Sequence, residues 1–483
     1  MNLKKVINVI GKLMQAEAVL LLLPLLVSLI YRESSAFAFA VTAGASLVVG
    51  TLLTIFIKPK NHTIYAREGF AIVALVWIVT AAIGAVPFTL SGEIPSYVDA
   101  FFETVSGFTT TGASILRNVE LLSHGVLFWR SFSHWIGGMG VLVFIMAIVP
   151  NISDRSIHIM RAEMPGPIIG KLVPRVKDTA KILYLIYIAM TVLQIVLLLF
   201  GGMPFFDSVV HTFGTAGTGG FGIKSDSIAG YNPYLQWVIT IFMLLFGINF
   251  NLYYLILIRR LKSVLKSGEL WCYLGIFAAS STLITFNTYP QFDSFEEAIR
   301  HSAFQVSSIM TTTGYATTDF NLWPVFSKTI LLLLMFIGAC AGSTGGGLKV
   351  SRLIILIKNI KRELKRLLHP HSVNIARFEG KPLENHTLHN VGIYFAIYMV
   401  CILVIFLILG LESGEMFDIE TNFSATVACF NNIGPGLSGV GPTASYADYS
   451  ALSKIVLSFA MLLGRLEIFP ILIVFSPSTW TKK

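Results

Sequence analysis

The sequence predicts an all-α polytopic membrane protein. An N-terminal transmembrane hairpin precedes four repeats of one unit: a span, a half-helix, a glycine turn and a second span. Three observations predict this. The chain has 483 residues, 54% hydrophobic and only 13% charged, against about 25% charged in a soluble domain. Apolar runs near the length of about twenty residues that crosses a bilayer recur along the whole chain. Between them lie four semi-apolar stretches, too short to span, that end in polar turns containing glycine.

The spans lie near 16–31, 37–57, 68–91, 126–150, 180–202, 233–258, 268–289, 326–357, 389–411 and 451–475. Ten spans put both termini on one side, and charge says which. Of the 35 Lys and Arg, 27 fall in segments 1–12, 58–67, 151–181, 259–266, 349–381 and 482–483. Segment 411–450 has none, yet carries Glu412, Glu415, Asp418, Glu420 and Asp448. The positive-inside rule places the first set, and both termini, in the cytoplasm. The net charge of +9 is then a topology signal and implies no nucleic acid. The basic run KNIKRELKR (358–366) reads as a juxtamembrane flank, with anionic lipid or an acidic partner as the alternative. The basic and then apolar start has the form of a signal peptide. No A-x-A-like site follows it and a second apolar span comes soon after, so 16–57 reads as a hairpin. Cys272, Cys340, Cys401 and Cys429 lie far apart in apolar segments and read as small buried hydrophobes.

The four short stretches are SYVDAFFETVSGFTTTGAS (96–114), PFFDSVVHTFGTAGTGGFG (204–222), AIRHSAFQVSSIMTTTGYAT (298–317) and IETNFSATVACFNNIGPGLS (419–438). Their turn glycines, Gly112, Gly220, Gly314 and Gly434, are 108, 94 and 120 residues apart. Non-helical backbone at membrane depth must line water or be buried in protein. Four such turns facing one axis would form rings of carbonyl oxygens able to replace the water around a bare cation. Threonine adds a hydroxyl and stiffens the turn, and glycine supplies backbone angles closed to other residues. TTTG occurs twice because one ring needs four walls, two of which share the same letters. The half-helices point their negative ends at the turns, and an acid-rich external side would draw cations in. Taken singly, Asp99, Glu103, Asp207, Glu296 and Glu297 read as capping and solvation at half-helix starts.

Several segments together carry a family resemblance. They are REGF (67–70), FFETVSGFTTTGAS (101–114), FWRSFSHWIGGMGV (128–141), KLVPRVKDTAKILY (171–184), GTGGF (217–221), GINFNLYY (247–254), MTTTGY (310–315), GACAGSTGGGLKVSR (338–352), NNIGPG (431–436) and MLLGRLEIFP (461–470). They resemble the TrkH/KtrB/HKT superfamily of potassium transporters, and its TrkH branch in particular, which also has a hairpin before the first repeat. The resemblance implies a homodimer in the bacterial inner membrane. Each subunit would hold its own pore, built from four M1–P–M2 units, potassium-channel-like, around a pseudo-fourfold axis. It implies inward passage of monovalent cations, chiefly K⁺ with Rb⁺ as its surrogate, no cofactor bound by this chain, and a separate cytoplasmic nucleotide-binding ring, TrkA in this family, that docks below. The divisions follow as hairpin 1–66, repeat one 67–150, cytoplasmic loop and repeat two 151–266, repeat three 267–366, and repeat four 367–483. Filter residues carry over as Thr110, Thr111 and Gly112; Thr218, Gly219 and Gly220; Thr312, Thr313 and Gly314; and Asn432, Ile433 and Gly434. In plant HKT relatives a serine at the first glycine goes with Na⁺ preference, so Gly112 implies K⁺. The fourth turn lacks threonine and is expected to contribute carbonyls only.

GACAGSTGGGLK (338–349) interrupts the apolar run 326–357 with five glycines in ten residues. Such a run disfavours helix. It reads as a break lining a cavity, or alternatively as a small-residue packing face. The resemblance implies an intramembrane loop that blocks the pore below the filter, with Gly342, Ser343, Thr344, Gly345, Gly346 and Gly347 as gating residues. Arg465 and Glu467 stand inside the last span, where charge signals function by default. Arg465 lies about 20 Å from the outer start of its helix and reads as pore-facing. The resemblance places it near the constriction, either as a barrier to cations or as a strut for the loop. Arg130, His134 and Trp135 match the family signature with no derivable role. A gated K⁺ pathway competes with a symporter coupled to H⁺ or Na⁺. The parallel repeats and scarce mid-span acids favour the pathway. HExxH, Walker A and GxSxG motifs are missing, and the glycine run 342–347 does not end in GK[ST], so an enzyme is not expected. The basic segments 151–181 and 358–381 are the expected docking surfaces for the regulatory ring.

Overall fold

The computed structural model describes residues 3–59, 66–140, 176–370, 375–412, 414 and 417–480. The chain opens with α1 (Leu3–Leu20) and α2 (Leu22–Ile30), and α3 (Ser35–Phe56) returns beside them. Helix starts at Leu3, well before the apolar run near 16. Lys4, Lys5 and Lys12, counted as a cytoplasmic flank, therefore lie on α1. Lys5 is buried there, paired with Glu68 at 2.9 Å. A hydropathy window misses this stretch because its apolar residues occupy one face only.

The first repeat is α4 (Ala66–Leu90), α5 (Tyr97–Phe108) and α6 (His124–Gly138). The second is α7 (Val176–Phe200), α8 (Phe205–Gly217) and α9 (Pro233–Phe246), continued by α10 (Phe250–Leu257) and α11 (Leu261–Leu265). The third is α12 (Gly268–Thr288), α13 (Phe295–Met310) and α14 (Val325–Met335), followed after a loop by α15 (Val350–Leu368). A two-stranded hairpin, β1 (Arg377–Phe378) and β2 (Lys381–Pro382), leads into the fourth: α16 (Asn385–Leu409), α17 (Ile419–Phe430), α18 (Ala451–Arg465), α19 (Phe469–Phe475) and α20 (Pro477–Trp480). The N-terminal hairpin docks on repeat one through its tip. Glu33 accepts the main-chain N–H groups of His124 at 2.8 Å and Gly125 at 3.0 Å, capping α6.

Among the described residues six helices are long and apolar enough to cross a membrane; α9 and α10, bent by 90° at their break, make a seventh if the pair is counted as one span. The ten apolar runs differ from this count because second spans are broken. The run 233–258 breaks between Phe246 and Phe250, and 326–357 breaks between α14 and α15. The run 451–475 breaks at Leu466–Ile468, where Glu467 and Ile468 have positive φ. In the run 126–150, α6 stops at Gly138, and 141–150 lie outside the described residues, as do 151–175 of the expected docking loop. Hydropathy reads composition: the glycine run marks the break in 326–357, whereas apolar residues flank the breaks in 233–258 and 451–475 closely enough to hide the turn of the backbone.

The half-helices α5, α8, α13 and α17 have 12, 13, 16 and 12 residues. At about 1.5 Å per residue none crosses a bilayer core of about 30 Å. Ser96, Ser294 and Asp418 cap their N-termini through Asp99 N, Glu297 N and Thr421 N. Asp99, Asp207, Glu296 and Glu297 occupy first turns as expected. Glu103 does not. It is fully buried and paired with buried Arg130 at 2.7 Å, and it also accepts Ile115 N–H at 3.0 Å. Capping is thus the wrong reading for Glu103, which joins α5 to α6. Arg130→Ala leaves that carboxylate uncompensated, and removing one partner of a buried pair costs about 3–5 kcal/mol. A fall of several degrees in the thermal unfolding of purified protein is expected, and Asp207→Asn, which keeps an oxygen to accept the Tyr231 hydroxyl, should change it little.

Candidate functional site

The four half-helices end alike, hydrogen bond for hydrogen bond. Thr110 N–H donates to Gly107 O and Thr111 N–H to Ser106 O, at 3.1 and 2.9 Å. Thr218 and Gly219 do the same to Thr215 O and Gly214 O, at 3.1 and 2.8 Å. Thr312 and Thr313 donate to Ile309 O and Ser308 O, at 3.1 and 2.8 Å. Asn432 and Ile433 donate to Cys429 O and Ala428 O, at 3.3 and 2.8 Å. This is the Schellman closure, whose first residue past the cap is left-handed and usually glycine. Here that residue is Thr110, Thr218, Thr312 or Asn432, with φ of 55°, 55°, 59° and 58°. Positive φ is an outlier for β-branched threonine. Strain of this kind persists where the surroundings over-determine it, typically at functional sites. Two residues later the chain turns again at positive φ, through Gly112, Gly220, Gly314 and Gly434.

These glycines close a ring. A methyl group on Gly112 would stand 2.0 Å from Gly219 O, and one on Gly220 would stand 2.0 Å from Thr313 O. On Gly314 it would meet Ile433 O at 2.2 Å, and on Gly434 it would meet Thr111 O at 2.6 Å. Turn one abuts turn two, two abuts three, three abuts four, and four returns to one. The twelve predicted turn residues are therefore brought together about a single axis. Above the ring opens a cavity of about 400 Å³, lined by all four glycines.

Side chains behind the ring hold it in shape. In the two TTTG turns the hydroxyls of Thr111 and Thr313 bond Thr109 and Thr311, each at 2.8 Å, and so face away from the axis. The first threonine of each triplet, absent from the predicted set, is thus the anchor of the third. The triplet itself was the signal for it. Asn432 departs from expectation in the other direction. Its amide donates to Thr111 Oγ1 at 3.0 Å and Met461 O at 2.9 Å. The fourth turn therefore binds its neighbours through a side chain as well as its backbone. His134 bridges repeats one and two. Its Nδ1 donates to Gly107 O at 2.7 Å, and its Nε2 accepts Phe221 N–H at 3.2 Å. Arg130 stacks over Phe221 at 4.1 Å and donates to Gly222 O at 3.3 Å. Trp135 donates to Thr191 Oγ1 at 3.2 Å. The signature residues Arg130 and His134 are struts of the second turn, and only the folded path reveals it.

The mouth is not an acidic funnel. The charged side chains lining the outer cavity are Arg117, Arg130, Lys224 and Asp448. Arg117 pairs with Asp448, and Lys224 lies over Tyr231 at 4.3 Å. The oriented carbonyls and half-helix ends supply the negative potential at this point. Among the external acids, Glu33 and Asp418 cap helices, and Asp99 pairs with Lys454 at 2.6 Å.

Directly below the ring runs the glycine-rich segment. It is loop, not helix, so a helix-packing face is ruled out. A parallel bridge pairs Ile337 with Leu348 at its base. Gly346 N–H donates to Thr312 Oγ1 at 2.6 Å, and a methyl group on Gly346 would meet Asn431 O at 2.7 Å. The loop thus presses against turns three and four. Arg465 fastens it from α18, donating to Thr344 O at 2.8 Å and Gly138 O at 2.7 Å, and also to Gly137 O. Lys349, buried, donates to Gly345 O and Gly346 O. Beneath the ring a cavity of only about 40 Å³ remains, lined by Met139, Ser343, Lys349 and Arg465. Glu467 pairs with Arg352.

A polytopic helical chain with four re-entrant turns closed around one axis has the architecture of a membrane transport protein, and transport needs none of the machinery of an enzyme. The comparisons narrow the class. The TrkH family model, described as cation transport protein, matches residues 35–482. Trk system potassium uptake protein TrkH of Salmonella typhimurium is 37% identical over 487 residues, 99% of this chain and 100% of its own. TrkG of Escherichia coli strain K12, also titled a Trk system potassium uptake protein, is 35% identical over 99% of both chains. The crystal structure of the potassium transporter TrkH from Vibrio parahaemolyticus superimposes with a TM-score of 0.88 at 33% identity, covering 100% of both chains. The chain belongs to the TrkH family of cation transport proteins.

Proposed function

We propose that this chain is the transmembrane subunit of a Trk-type potassium uptake system. K⁺ enters through a gated, channel-like pore selected by the ring of turns 110–112, 218–220, 312–314 and 432–434. The observation that carries the reading is the closed ring, in which each turn glycine lies against the carbonyl of the next turn. Such carbonyls can exchange for the hydration shell of a bare cation. The names borne by relatives at 35–37% identity supply the ion. Segment 342–347 with Arg465 is the gate, because it occupies the axis immediately below the ring and leaves little free volume. In this reading the subunit works as a homodimer in the bacterial inner membrane with both termini cytoplasmic. A separate TrkA-like nucleotide-binding ring docks on the basic cytoplasmic side and opens the gate.

The test is uptake of Rb⁺ and of Na⁺ into proteoliposomes holding this protein alone. Rb⁺ uptake that follows its own gradient and exceeds Na⁺ uptake is the expected result. Uptake that appears only with an imposed H⁺ or Na⁺ gradient would replace the pore by the coupled symporter. Adding the purified cytoplasmic ring with its nucleotide should raise Rb⁺ uptake without altering ion preference.

A further inference from the structure

The glycine-rich loop has a second set of fastenings, and these lead to the cytoplasmic surface. Both of its ends converge on one carboxylate in the first turn of α12. Glu269 Oε1 accepts Ala341 N–H at 2.8 Å and Ser351 N–H at 3.1 Å. Ala341 precedes the glycine run and Ser351 follows it. One buried oxygen therefore ties the entrance of the loop to its exit, on the face opposite Arg465.

The helix end that carries Glu269 is itself held from below. Glu379 Oε1 accepts Glu269 N–H and the Ser267 hydroxyl, each at 3.2 Å. Glu379 is exposed at the tip of the β1–β2 hairpin. The base of that hairpin is rooted in α15, the helix that continues the loop. Phe378 is buried with Ile355, Leu388 and Val391, and Lys358 donates to Arg377 O at 2.6 Å. The tip is strained. Glu379 and Gly380 have φ of 50° and 76°, the two-residue hairpin turn that favours Asn, Asp or Gly at both positions. A glutamate tolerates this backbone poorly. What distinguishes it from those residues is a carboxylate long enough to reach the N-terminus of α12, where the helix dipole favours negative charge.

We propose that Glu379 and Glu269 form a positioning relay that sets the resting closure of the gating loop. Displacing the hairpin tip withdraws Glu379 from α12, frees the first turn that orients Glu269, and releases both ends of the loop together. A cytoplasmic regulator that moves the hairpin would then reach the gate through two carboxylates, without entering the pore. The proposal rests on the reading of 342–347 as the gate.

The test is basal Rb⁺ uptake by the full chain in proteoliposomes, with no partner present. Glu379→Ala and Glu269→Ala should each raise uptake at least about tenfold, since each loses two charge-assisted hydrogen bonds and one alone is on that scale. Glu379→Gln keeps an accepting oxygen with bonds roughly half as strong, so uptake should rise only about threefold and stay well below Glu379→Ala. Glu379→Gly separates gating from stability. It removes both bonds but relieves the positive φ, so uptake should rise while the melting temperature does not fall. Two controls address the gate itself, Arg465→Gln and deletion of Ser343–Gly346. If either raises uptake and the Glu379 and Glu269 variants do not, the relay is wrong and the gate stands. If neither raises it, the gate reading fails and the relay falls with it. A Glu379→Gln variant as leaky as Glu379→Ala would also overturn the relay, since the carboxylate would then not be acting as an acceptor.

Discussion

Gly112→Ala is expected to lower Rb⁺ uptake by about a hundredfold or more, a factor that ~2.7 kcal/mol produces. Two independent costs act at this position. The backbone is left-handed, with φ of 78°, and an L-residue there costs about 1–2 kcal/mol. The added carbon would also stand 2.0 Å from Gly219 O and 3.6 Å from Thr313 O. The first neighbour is main chain, so no rotamer change relieves the contact. Turn two must shift, and it cannot shift alone, because Gly220 already lies against Thr313 O. The displacement passes around the ring. Gly112→Ser adds the same carbon with a hydroxyl and should also erode the preference for Rb⁺ over Na⁺. The four glycines should rank by clearance: Gly112 and Gly220 most sensitive, then Gly314, then Gly434, where the contact is 2.6 Å. Uptake and ion preference unchanged in Gly112→Ala would remove the ring from the ion path.

Much of this site was legible in the sequence because repetition marks it. Four half-helices ending in glycine turns, two of them spelled TTTG, announce one ring, and the family motifs place every turn. Residues that stabilise the ring from behind were not legible. Thr110 and Thr111 were carried over as filter residues and Thr109 was not, yet Thr109 caps the half-helix and holds the Thr111 hydroxyl. Glu103 looked like an external acid because sequence gives its distance from a helix start and not the arginine facing it from α6. Asn432 seemed a poorer threonine, whereas its amide ties two turns together. The glycine run showed the break in 326–357, but the breaks in 233–258 and 451–475 escaped hydropathy for the same reason as the early start of α1. Composition reports what a segment can be buried in, and backbone direction depends on neighbours distant in the chain.

Arg465 was open between two roles, and its contacts make distinct outcomes measurable. The guanidinium donates to carbonyls on two separate elements, Thr344 O in the loop and Gly137 O and Gly138 O at the end of α6. A strut must fork to do this, and only arginine presents a planar set of five donors. A barrier needs only positive charge. Arg465→Lys therefore divides the readings, since it keeps the charge and loses the fork. As a strut, Arg465→Lys should approach Arg465→Gln, with basal Rb⁺ uptake raised at least about tenfold in both. Hydrogen bonds to a charged group contribute about 1.5–3 kcal/mol each, and three are at stake. A two-state gate shifts its population by the full difference between its states. As a barrier alone, Arg465→Lys should conduct like the unaltered chain and only Arg465→Gln should leak. The geometry favours the strut, because the guanidinium ties Thr344 O of the loop to Gly137 O and Gly138 O at the end of α6, a tie that must break when the loop moves. In Arg465→Gln those carbonyls also turn unpaired oxygens toward the cavity, where they would attract a cation. Both consequences raise uptake, so a fall in uptake would contradict the closed-gate reading of this structure as well as the strut.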